Sequence, residues 1–132
     1  MRIIHIVDNL KNENMGLWNS VVSTNTYLIS QGIISELWFF GKPLNFDFGL
    51  LPVYSLASPT GLKISQLILT HKLLPHSDII VTHGCWSAPT RIGYQFKRKG
   101  FHWVVNPHGM LEPWALRQKR FKKTLYFLFL EK

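Results

Sequence analysis

The sequence predicts an α/β fold in which a doubly wound parallel sheet forms a single domain over residues 1–132. Three observations carry this expectation. Short apolar, largely β-branched runs alternate with stretches whose apolar residues recur at helical spacing. Glycine or proline closes most of those stretches. Polar pairs follow three of the runs, Asp8-Asn9, His83-Gly84 and His108-Gly109, so parallel strands would bring all three to one rim of the sheet, where a ligand crevice lies.

The elements follow in order. Residues 3–7 (IIHIV) read as a buried strand. Leu17, Val21, Leu28 and Ile29 mark one face of a helix, with Val22 beside them, and Gly32 stops it. Residues 36–40 form the second strand and Gly41-Lys42-Pro43 its turn. Residues 43–60 are irregular, apart from a weak strand at 50–54 that Pro52 confines to an edge. Ile64, Leu67, Ile68 and Leu74 share a helix face that Pro75 ends. Residues 78–82 (DIIVT) are a strand, and 88–99 a helix with a basic end closed by Gly100. A final buried strand over 101–105 leads to a long basic, aromatic helix opened by Glu112 or Pro113.

Composition narrows the function classes. With 46% hydrophobic and 17% charged residues, the chain is globular rather than disordered. Cys85 is the single cysteine, which excludes an internal disulfide and favours a reducing, cytoplasmic location. The run 3–7 is too short for an export signal, and no stretch approaches the roughly 20 apolar residues of a membrane span. Residues 91–132 hold ten Lys/Arg against two Asp/Glu, which is the whole net charge of +8. Such concentration implies an anionic partner for the last third.

Each candidate site carries two readings. In the loop 8–16, Asn14 and Gly16 stand where backbone N–H groups and a helix N-terminus approach a diphosphate, although a lone glycine also serves turn geometry alone. His108 can donate to a hydroxyl and shield developing charge, with Gly109 letting the backbone approach; or it caps the next helix. His83 and Trp86 would face an acceptor, the indole as a stacking platform, or they are simply buried. His83 and Cys85 fall short of a zinc set, so no metal is expected. His71 and His76 read as surface residues, and Glu112 as a helix-dipole residue. Arg117, Lys119, Arg120, Lys122 and Lys123, followed by apolar residues 125–130, suit an anionic membrane surface. Alternatively Phe121, Leu125 and Leu128 pack against the sheet.

Residues 108–116, HGMLEPWAL, with the basic segment behind them, resemble the N-terminal lobe of family-4 glycosyltransferases, enzymes of two Rossmann-like lobes (the GT-B fold). The resemblance implies transfer of a sugar, with retention, from a nucleotide-sugar donor to a glycan or lipid-linked acceptor, as in polysaccharide biosynthesis. It puts His108 against the donor sugar as the catalytic residue; the candidates Asn14, Gly16 and Gly109 then read as donor or diphosphate contacts, and His83 and Trp86 as acceptor contacts. Where the family usually has Gly-Gly, this chain has Met15-Gly16. No cofactor is implied, no nucleic-acid partner is expected, and a peripheral place on the inner membrane face fits. The E-x7-E word of the donor-binding lobe is absent from residues 1–132. The expectation is therefore an acceptor-side lobe, truncated before a C-terminal lobe and inactive alone. The alternative is a basic α/β binding module docking on an anionic membrane or nucleic acid, without a nucleic-acid fold signature.

Overall fold

The computed structural model describes residues 1–43, 45–56, 58–118 and Thr124. Its elements run β1 (Arg2–Ile6), a 3-10 turn (Asn12–Asn14), α1 (Met15–Ser30), β2 (Ile34–Phe40), β3 (Val53–Leu56), α2 (Ile64–Thr70), β4 (Ile79–His83), α3 (Ala88–Lys97), β5 (His102–Asn106) and α4 (Pro113–Arg117). All strand pairings are parallel, in the spatial order β3-β2-β1-β4-β5. The chain is thus α/β, a five-stranded parallel sheet flanked by helices. β3 is an edge strand, but it runs Val53–Leu56 rather than 50–54 and leaves Pro52 just outside; the Pro52 carbonyl accepts from Leu37 N–H at 2.9 Å just before the pairing begins.

Side chains alternate across a strand, and β2 feeds a core on each face of the sheet. On one face Ile4, Ile6, Trp38, Phe40 and Ile80 meet Ile64 of α2 and Ile92 and Phe96 of α3. On the other, Val7, Leu37 and Phe39 pack with Trp18 and Val21 of α1. α3 approaches β5 so closely that a Cβ at Gly93 would lie 2.1 Å from Trp103 Nε1, whose N–H donates to Thr82 Oγ1 at 3.0 Å.

Four further sequence expectations are corrected. α1 buries Val21 of the Leu17–Ile29 stripe, but Leu17 and Leu28 are only half-buried and Ile29 is exposed, because the inward face centres on Trp18, Val21 and Asn25, with the large indole beside Val7. α2 stops at Thr70, short of Pro75. Lys72 takes a left-handed conformation (φ 50°), while Leu73 N–H bonds Ile68 O at 2.9 Å and Lys72 N–H bonds Leu69 O at 3.2 Å. That pair of bonds is a Schellman motif, and it turns Leu73 into the core and Leu74 out to solvent. β5 is not buried on both faces, since it is the last strand in the sheet and Val104 is half exposed. Finally, the helix at Pro113 is not long: it ends at Arg117, and Gln118 is extended. The basic residues 119–123 and the apolar run 125–130 lie outside the described residues.

One end of the sheet is tied by charge. Asp78, almost fully buried, accepts from Arg2 N (3.1 Å), Arg2 Nη2 (2.9 Å) and Leu74 N (2.9 Å), and Glu36 Oε1 stands 3.7 Å from Arg2 Nη1. Arg2 Nη1 also donates to the His71 carbonyl at 2.9 Å. His71 is therefore no plain surface residue: its ring packs 4.5 Å from that of Trp38 and 5.1 Å from that of Tyr54.

Candidate functional site

The opposite, C-terminal rim gathers the polar residues. β1 lies between β2 and β4, and its neighbours are reached by connections leading to opposite sides, which makes the β1–β4 boundary a switch point where open α/β sheets hold ligands. Asp8-Asn9 leaves β1 there, β4 ends there at His83, and His108-Gly109 follows β5.

Three histidines join across this boundary. His5, in the middle of β1, places Nδ1 2.9 Å from His83 Nε2. His83 Nδ1 lies 2.7 Å from His108 Nε2, with the two rings stacked 5.0 Å apart. His83 is only 3% exposed and spends both ring nitrogens on its neighbours, so it reaches a ligand only through His108. Burial drives all three toward the neutral form. It lowers the His5 pKa to about 4. His83 falls to about 3, by burial first and then by the charges of His5 and His108. His108 shifts in the same direction, also by desolvation. The nitrogens point at one another rather than at a common centre, and among the described residues no group of three or more His, Cys, Asp or Glu is arranged to hold a metal ion.

His108 itself sits in left-handed backbone (φ 47°), followed by Gly109 (φ 78°). An L-residue pays roughly 1–2 kcal/mol there, and histidine is among the residues that tolerate it best. His108 does not cap α4, whose N-cap is Glu112 without a side-chain cap bond. His108 instead lines a cavity of about 400 Å³ with Asn14, Gly16, Leu17, Glu13 and Met110. Sequence residues 92 positions apart thus share one wall. Asn14 precedes α1 and is fixed by donating from Nδ2 to Asn9 Oδ1 at 2.7 Å. A Cβ at Gly16 would meet nothing within 4 Å, so no packing demands glycine there.

Met110 and His5 went unnoticed in the sequence. Met110 Sδ accepts from Cys85 N at 3.2 Å and its methyl lies over Gly84, where an added Cβ would come within 3.2 Å. His5 hides in an apolar run; its signal is an imidazole at an alternate position of a central strand. Trp86 is half-buried in left-handed backbone (φ 57°) and is not part of the cavity wall. Gly109 stands beside His108 without lining the cavity. Arg117 closes α4, while Lys119, Arg120, Lys122 and Lys123 fall outside the described residues. A larger cavity, about 520 Å³ between α2 and α3, is lined by Lys63, Arg98 and Lys99 but by none of the three histidines. Among the described residues no helix is long and apolar enough to cross a membrane. No protein-family model matches the chain, and neither does any curated protein or solved structure.

Proposed function

We propose that this chain is the acceptor-side lobe of a retaining glycosyltransferase that uses a nucleotide-sugar donor, with His108 as the catalytic residue against the donor sugar. The observation that carries the reading is the shared cavity: His108, Asn14 and Gly16, three of the six candidate sugar and diphosphate contacts, line it together at the C-terminal rim of the sheet. A neutral imidazole suits the role, because it can donate to a sugar oxygen without a competing positive charge. Asn14 and Gly16 would meet the diphosphate at the start of α1. Trp86 would contribute on the acceptor side. A second, nucleotide-binding lobe would close over the rim and exclude water, and the basic residues from Arg117 onward would hold the enzyme on an anionic membrane.

The test is ligand-observed NMR of nucleoside-diphosphate sugars mixed with the 132-residue chain and with His108→Ala. Broadening of the sugar and diphosphate signals by the wild type, reduced at least several-fold by His108→Ala, supports the reading. No broadening with any sugar nucleotide, together with salt-sensitive binding of DNA or anionic vesicles, would replace it with the binding-module reading. Alone, the chain is expected to transfer no sugar at a useful rate.

A further inference from the structure

We infer that His83 is a positioning residue that holds His108 as its Nδ1–H tautomer, so that the cavity meets its ligand with a hydrogen-bond donor and selects an acceptor oxygen. A neutral imidazole has one donor and one acceptor nitrogen. The two contacts in series, His5 Nδ1 to His83 Nε2 and His83 Nδ1 to His108 Nε2, are both satisfied by only two arrangements. Either every ring carries its proton on Nδ1, or every ring carries it on Nε2.

The inner end decides between them. His5 Nε2 is buried and meets no hydrogen-bond partner among the described residues. In the all-Nε2–H arrangement an N–H donor would be orphaned there. In the all-Nδ1–H arrangement only a lone pair is. Orphaned buried N–H groups are the rarer of the two defects in folded proteins. The chain therefore runs outward, His5 donating to His83 and His83 to His108. His108 Nε2 is occupied as an acceptor, and Nδ1–H is what it offers in the cavity. Burial keeps the three rings neutral, which the argument requires. A hydroxyl or phosphate oxygen fits such a donor, and an ammonium group does not.

The inference deepens the reading of His108 as the ligand-facing residue but does not need the ligand to be a sugar nucleotide. It is tested without any ligand, so the two fail separately. Long-range ¹H–¹⁵N spectra of the full chain at pH 7.5 identify the tautomer of each histidine. Expected is Nδ1–H for His5, His83 and His108, the reverse of the form an exposed histidine mostly adopts in water. His83→Leu should release His108 to a mixture richer in Nε2–H. His83→Asn, whose amide N–H can replace Nδ1–H, should retain the Nδ1–H form. Wild-type His108 found as Nε2–H, or unchanged in His83→Leu, overturns the inference. The wild-type spectrum decides even if the variants do not fold.

Discussion

At the scale of single residues, the site is recognisable by groups that gain nothing from being where they are. His108 is held in left-handed backbone, and His5 and His83 are histidines buried at the expense of their charged forms. That expense has a sign. The unfolded histidines titrate near 6.5 and the folded ones lower, so the unfolded state binds more protons as pH falls below about 6.5. Stability is then full above that pH and lost through the window down to the folded values, about 4 for His5 and about 3 for His83. Each group contributes a slope of up to about 1.4 kcal/mol per pH unit. Urea midpoints measured from pH 7.5 to 5 should fall, and His5→Leu should flatten the slope by about one proton. An unchanged slope would mean that His5 is charged when folded. Gly16 separates packing from function in the same way. Gly16→Ala should stabilise the helix by about 0.5–1 kcal/mol, since nothing crowds the new methyl. The same methyl, at the cavity wall, should weaken binding of a diphosphate. Higher stability with unaltered binding would reduce Gly16 to an ordinary helix residue.

At the scale of elements, what was legible depended on which residue marked the stop. α1 and α3 end in Schellman-type bonds, Ile33 N to Leu28 O and Phe101 N to Phe96 O, with Gly32 and Gly100 in the left-handed position, and both ends are readable from the glycines. α2 ends by the same bonds but with Lys72 in that position, so the sequence offers no mark before Pro75. The buried Leu73 imposes the stop instead. Lys72→Gly should therefore raise stability by about 1 kcal/mol, measured as a shift of the chemical-denaturation midpoint; a loss would show that the lysine side chain matters more than the backbone. The strands were legible because apolar runs have few alternatives. The histidine chain was not, because it needs His5 and His83 on one face of neighbouring strands. Pairing of His5 with Val81 sets that, and no local pattern announces it. Asn14, Gly16 and His108, named from the sequence, line one cavity, whereas His83 is buried with both ring nitrogens against His5 and His108.

At the scale of the whole molecule, the two rims of the sheet are built differently, one around an ion pair and the other around neutral histidines. Arg2, Glu36 and Asp78 bind the N-terminal rim, at the opposite end of the strands from His83 and His108. Asp78→Ala removes the carboxylate nearest the Arg2 guanidinium, leaving it Glu36 and backbone carbonyls, and strips acceptors from two backbone N–H groups, so it should destabilise the fold by about 2–3 kcal/mol. The surviving folded fraction should still bind ligand, as a thermal-shift titration would reveal; a small loss of stability would mean that the N-terminal rim is held by something other than this ion pair.

The C-terminal rim, organised around His108, is the proposed ligand site. Backbone and side-chain NMR shifts of the chain, followed as a nucleoside-diphosphate sugar is added, test it most directly. The shifts should concentrate at Asn14, Gly16, His108 and Met110 and vanish in His108→Ala. Shifts centred instead on Lys63, Arg98 and Lys99, or none at saturating ligand, would contradict it.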